Sequence, residues 1–236
     1  MSGRIKRALE GFYAFVDKPL FLWTRPMLLL LMIPLVVGLT QPLWHLAMQA
    51  PQYPKGLSLD VYAYTLTGGH DGADISEINI LNHYIGMKKL DRAALTELDW
   101  LPFGFGVLGL LLVRVAALGN VRSLVDLSAL VTYFSGFSVF RFVFKLQSYG
   151  HDLSPDAPIK VEPFMPALWG TKQVGNFTTH ASPAIGSYFV AAFAVGVLLL
   201  ALYHLVEGRR RARKEQRQAG ALALAEAEQP GADSEG

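Results

Sequence analysis

Four stretches of this 236-residue chain are apolar for long enough to cross a bilayer, and that constrains its fold more than any motif does. Crossing ~30 Å of hydrocarbon takes ~20 apolar residues at 1.5 Å each. The runs cover 26–48, 101–118, 123–144 and 185–205. The first is built on Met27 to Ile33, and Val195 to Leu200 is the most apolar part of the last. Length alone would suit one or two soluble domains. A hydrophobic content of 52% argues for the bilayer instead. Pro34 and Pro42 interrupt the first run, which a membrane helix tolerates where packed neighbours satisfy the freed carbonyls.

The first run does not read as a cleaved leader. It starts only after 25 residues, is too long for a signal-peptide core, and lacks a small-x-small site behind it. Residues 1–25 mix Phe12, Tyr13, Phe15 and Trp23 with basic side chains, which suits a cytoplasmic interfacial segment.

Lys and Arg density sets the expected orientation. Five lie in the N-terminal segment (Arg4, Lys6, Arg7, Lys18, Arg25), Arg122 joins the second run to the third, and six lie between Arg209 and Arg217. The two long loops, 49–100 and 145–182, carry seven between them, interleaved with acids. Short basic loops stay on the cytoplasmic side, so both termini are expected inside and both long loops outside, in a bacterial inner membrane. The tail 206–236 is basic at first, then rich in Ala, Glu, Gly and Pro, and is expected to be disordered after Gln218.

The chain has no cysteine. Disulfides, thiolate copper sites, iron–sulfur clusters and c-type haem are thereby excluded. An integral haem b would need histidines paired across the bilayer. Only His45 and His204 lie near apolar runs, at opposite faces. No Walker loop, GxSxG or HExxH is present, and no nucleic-acid partner is expected.

Loop 49–100 has internal order. Leu57 to Leu66 alternates with period two and predicts one short strand. Asp74 and Glu77 have capping-box spacing, predicting a helix from near Ile75 to Gly86. At 38 residues, loop 145–182 is far longer than a usual bundle connection, and Phe164, Leu168, Trp169 and Phe177 argue that it packs.

Five of the six histidines fall on the expected outer side. His83 and Met87 are four apart, so one helical face would present an imidazole and a thioether, both of which suit Cu(I). His45 and Met48 sit at the neighbouring membrane exit, and His151 and His180 complete the candidate ligands. The bland alternative gives His83 a structural hydrogen bond and packs Met87 on the membrane surface. An adjacent Asp152 would orient His151 as carboxylates orient metal-bound imidazoles, or the two are an ordinary solvated pair. His70–Asp71 reads as a solvent-exposed turn and His204 as interfacial. Arg114 and Asp126, near the inner ends of adjacent runs, read as an ion pair, since unpaired charges there cost ~2.5 kcal/mol or more. Arg141, near an outer end, would snorkel or face a partner or anion.

Two stretches taken together, Ala50-Pro51-Gln52-Tyr53-Pro54-Lys55-Gly56-Leu57 and Ile78-Asn79-Ile80-Leu81-Asn82-His83-Tyr84-Ile85-Gly86-Met87, resemble a family of small bacterial multi-pass membrane proteins found beside nitrous oxide reductase genes. The resemblance covers the first outer loop and flanking helices, about half the chain, and extends loosely to Gly170-Thr171-Lys172 and Asn176-Phe177. It implies support of a periplasmic copper enzyme, in maturation or electron supply, and assigns no ligand.

The expected fold is an all-α membrane protein with four transmembrane helices and an extracytoplasmic cap formed by the two long loops. The expected role is that of an accessory protein that binds copper or docks a protein partner through the cap. The rival is a structural or assembly subunit without metal. An enzyme ranks third, because no nucleophile–base pair is legible.

Overall fold

The computed structural model describes residues 19–174 and 176–227. Residues 1–18 of the expected interfacial segment and 228–236 of the tail lie outside the described residues. Within them the order is α1 (Thr24–Leu30), α2 (Met32–Thr40), β1 (Trp44–Ala50), β2 (Tyr53–Val61), β3 (Leu66–Gly68), α3 (Ala73–Tyr84), α4 (Glu97–Leu118), α5 (Val121–His151), β4 (Gly170–Val174), β5 (Phe177–Pro183) and α6 (Ile185–Ala227). The molecule is mostly helical, but it is not all-α. One antiparallel sheet of five strands, ordered β3-β2-β1-β5-β4, unites both long loops.

Three helices are long and apolar enough to cross a membrane: α4, α5, and α6 over Ile185–Arg211. Their outward side chains are apolar, with Phe103, Leu110 and Tyr133 all 74% exposed. Such a surface is compatible with a lipid bilayer. The fourth expected span, 26–48, is not one long helix. α1 and α2 together cover Thr24–Thr40, and the segment is broken at Leu31. Pro34 supplies no N–H to the Leu30 carbonyl, and its ring crowds that carbonyl. The helix ends at Thr40 because Gln41 precedes Pro42 and is pushed into extended backbone (φ −103°, ψ 156°). The residues expected to finish that span instead form β1.

The broken helix nevertheless runs the length of its neighbour. Gly38 lies against Val190 and Gly186, and Leu31 packs on Gly196. Thr24 Oγ1 bonds His204 Nε2 at 3.2 Å. Thr24 to Gly38 and Val190 to His204 are equal sequence intervals, about 21 Å of helix at 1.5 Å per residue, run in opposite directions. His204 is buried and structural: its Nδ1–H donates to Leu200 O at 2.8 Å, leaving Nε2 to accept from Phe21 N–H and the Thr24 hydroxyl. Around this pair Leu28, Leu35, Leu112, Leu124, Val131, Phe193 and Val197 form the bundle core.

Two chemical signals set the α4–α5 hairpin. Gly119 (φ +65°) closes α4 in the left-handed region, its N–H bonding Val115 O at 2.9 Å. Asn120 then caps α5, its Oδ1 accepting from Ser123 N–H at 2.9 Å. Contrary to expectation, Arg114 and Asp126 form no ion pair among the described residues. Both are exposed and line one cleft of about 350 Å³ beside the hairpin. α5 outruns its expected end at Phe144 by seven residues because Lys145 and Tyr149 donate to Ala94 O and Lys89 O, both at 2.9 Å. α6 likewise continues through the stretch expected to be disordered, as far as Ala227.

The cap has its own core. Leu57 and Leu59 of β2 pack with Ala50, Ile78 and Leu81, closing one sheet face against α3. α3 begins at Ala73 with Gly72 before it, so Asp74 is not the cap that the sequence spacing implied. Its buried carboxylate accepts the Ser58 amide at 2.8 Å and the His70 Nδ1–H at 2.7 Å. Glu77 accepts the Tyr53 hydroxyl, and that bond, with burial behind it, raises the phenol pKa.

Candidate functional site

Strand alternation gives the sheet one apolar and one polar face. Opposite α3 stand His45 and Ala47 on β1, Ser58 and Asp60 on β2, His180 and Ser182 on β5, and Thr171 on β4. Their shared face follows from the register, His45↔Asp60, His45↔Ser182, Ala47↔Ser58, Ala47↔His180 and Thr171↔His180. His45 Nδ1–H donates to Asp60 Oδ1 at 2.7 Å, with both side chains about 40% exposed. With Nδ1–H donating to the carboxylate, Nε2 keeps its lone pair, the arrangement found behind metal-bound imidazoles. His180 is exposed, with Nδ1 3.0 Å from Thr171 Oγ1. His45 and His180 are diagonal neighbours on this face, a relation that spans ~7–8 Å between adjacent strands.

The other candidate ligands are dispersed. Met48 alternates onto the opposite face and packs with the Leu57–Leu59 cluster, so it does not stand beside His45. His83 and Met87 do not share a helical face. α3 stops at Tyr84, Gly86 takes φ +79°, and Gly86 N–H and Met87 N–H return to His83 O (3.2 Å) and Asn82 O (2.8 Å). This paired closure of a helix C-terminus turns Met87 off the helix. Gly86 cannot be larger there, since a Cβ would come 2.9 Å from Ala157 Cβ and Ser154 N. His83 is exposed, its ring centroid 6.5 Å from that of Tyr84.

His151 Nδ1–H donates to Gln147 O at 3.0 Å, within its own helix. Asp152 turns to Lys88 Nζ (2.9 Å) and Ser148 Oγ (2.8 Å), and the Lys88 bond leads in holding its carboxyl below the usual range. It therefore does not orient His151. Of the six candidate ligands, the fold brings His45 and His180 to one surface and separates Met48, His83, Met87 and His151 from them. Among the described residues no three His, Asp or Glu side chains are grouped to share a metal ion.

Two polar centres escaped sequence reasoning. Glu97, at the first turn of α4, accepts from Arg141 Nη2 at 2.6 Å and lies 3.5 Å from Lys145 Nζ. This ties the cap ends of α4 and α5 and supplies the partner for Arg141. Its signal was present, since Arg141 and Lys145 are four apart on one face of α5. The second is the turn around Asp74, where His70 (φ 48°) and Asp71 (φ 56°) both adopt the left-handed region. Burial pushes the Asp74 carboxyl up, but the Ser58 amide and the His70 contact outweigh it, and the pKa is lowered. Comparison with protein-family models, with curated proteins and with solved structures finds no match.

Proposed function

We propose that this chain is an integral membrane accessory protein whose outward cap docks a protein partner, in support of a periplasmic copper enzyme of the nitrous oxide reductase kind. The observation that carries the reading is an exposed apolar patch on the cap. Ile80 and Tyr84, one turn apart on α3, are 48% and 46% exposed. Ile159, whose N–H bonds Tyr84 O at 2.9 Å, is 49% exposed beside them. Apolar clusters of this kind, clear of the lipid-facing helices, mark protein contact sites. The resemblance of the two first-loop motifs supplies the class of partner, and Tyr84 lies within the second motif.

Orientation follows from charge. Arg25 stands against Gly119, Arg122 opens α5 and Arg211 lies over Phe21, and this basic density at the hairpin end argues for a cytoplasmic hairpin and an outward sheet. In this reading α1–α2 forms the fourth crossing, antiparallel to α6, and places both termini inside. Copper contact through His45 and His180 is a second reading, favoured by their shared face and by the Asp60 bond behind His45. The test is the copper enzyme's activity and copper content in cells lacking this chain, restored with wild type or with Ile80→Glu/Tyr84→Glu. Loss on deletion, rescue by wild type and failure of the inserted double variant are expected. Full enzyme activity in the deletion strain would discard the copper-enzyme role and leave the assembly-subunit reading.

A further inference from the structure

The cleft at the α4–α5 hairpin is lined by Arg114, Arg122 and Asp126; Arg122 is engaged in an interaction of its own, and Arg114 and Asp126 do not meet. Arg114 lies five residues before Gly119 and Asp126 seven after, on antiparallel helices, so the two sit at nearly the same depth. At 1.5 Å per residue Arg114 lies roughly 7.5 Å along α4 from Gly119, and Asp126 roughly 7.5 Å along α5 from its start at Val121. Both are exposed and both line the same cavity, walled by Leu111, Leu118 and Leu130. Neither has a hydrogen-bond or ion-pair partner among the described residues, although unpaired charges at a membrane boundary are costly. A charge pair left open at this depth is matched by a ligand that carries both complementary charges.

We infer that this cleft binds the headgroup of a zwitterionic phospholipid with a primary amine, of the phosphatidylethanolamine type. The phosphate accepts from the Arg114 guanidinium, which suits planar two-point contact with phosphate oxygens. The ammonium donates to the Asp126 carboxylate, and the acyl chains lie along the leucines. An anionic glycerol headgroup would match Arg114, with Arg122 at the same lining, but would give Asp126 no donor. A choline headgroup carries the positive charge but has no N–H to donate. With α4 and α5 read as membrane spans, the exposed lining leucines Leu118 and Leu130 meet lipid, so the occupant comes from the bilayer and not from free phosphate. Basic pockets between membrane helices on the cytoplasmic side are established headgroup sites; here the acid adds selectivity for the amine. This rests on reading α4 and α5 as membrane spans, which reporter fusions test separately.

The experiment uses the full chain in detergent micelles. Its melting temperature is followed as phosphatidylethanolamine, phosphatidylcholine, phosphatidylglycerol or inorganic phosphate is added. Phosphatidylethanolamine should give the largest rise. Asp126→Asn should erase its advantage over phosphatidylcholine, and Arg114→Gln should remove the response altogether. A photoactivatable phosphatidylethanolamine should crosslink wild-type protein at the cleft, which keeps the question open to test even if a variant does not fold. Equal responses to the three lipids, a larger response to phosphatidylglycerol, an equal shift with phosphate alone, an amine preference kept in Asp126→Asn, or crosslinking elsewhere would each overturn the inference.

Discussion

The Asp74 carboxylate accepts the Ser58 amide at 2.8 Å, completing a strand edge that β3 leaves bare. β3 pairs only Leu59 to Val61 of β2, so the Ser58 N–H would otherwise have no strand beside it. A side chain from α3 thus finishes the ladder and fastens helix to sheet, while Gly69 N–H takes the Ser58 carbonyl at 3.0 Å.

Removing that carboxylate should loosen the cap. Asp74→Ala leaves a Ser58 donor unsatisfied at a cost of ~1–3 kcal/mol, and Asp74→Asn, which keeps an acceptor, should cost less. Because the folded-state pKa is lowered, this stabilisation is full above the ordinary carboxylate value and fades as pH falls through the lowered one. Protection factors of α3 and β2 amides, taken against the intrinsic exchange rate at each pH, should therefore fall more steeply from pH 7 to pH 3 in wild type than in Asp74→Asn. Parallel profiles would remove Asp74 from the account of acid stability.

Gly186 is where α6 meets the turn after α2. A Cβ there would lie 2.7 Å from the carbonyl oxygens of Gln41 and Pro42, backbone atoms that cannot swing aside. Gly186→Val should lower the melting temperature in detergent, with an overpacking cost of about 1–3 kcal/mol. At Gly220 a Cβ meets nothing within 4 Å, so Gly220→Ala is the neutral control.

Four crossings with both termini inside predict the behaviour of reporter fusions. A reporter active only in the periplasm should be silent after Gly220 and active at Gly69. An active Gly220 fusion with a silent Gly69 fusion would invert the proposed orientation. Activity at both would mean that the three helices α4, α5 and α6, which alone separate the two sites, do not all cross.

Competition with a chromophoric Cu(I) chelator separates the two surfaces that carry candidate ligands. If copper sits on the polar sheet face, His45→Gln and His180→Gln should each weaken binding, while His83→Gln and Met87→Leu leave it unchanged. Weakening by the second pair alone would return the site to the end of α3. No binding by wild type would end the copper reading and leave the docking role standing.

The sequence by itself determined the three long apolar helices, because hydrophobic runs of that length have few fates. It also determined the hairpin turn, where Gly119 and Asn120 each perform a local backbone task, and the opposition of arginine-rich and histidine-rich ends. It misled at 41–50, where counting apolar residues hid the period-two pattern of Leu46, Met48 and Ala50 against His45, Ala47 and Gln49. A strand and the end of a membrane helix share that composition, and Pro42 was the local sign that the helix had ended. Register was beyond sequence reach. Which residue stands opposite His45 depends on pairing β1 with β5 across more than 130 intervening residues, and no local preference encodes that distance. The same holds for Asp74, whose spacing mimics a helix cap while its partner lies on another strand. Tertiary structure decided which histidines share a surface, because alternation and chain closure, not sequence neighbourhood, determine what a side chain meets.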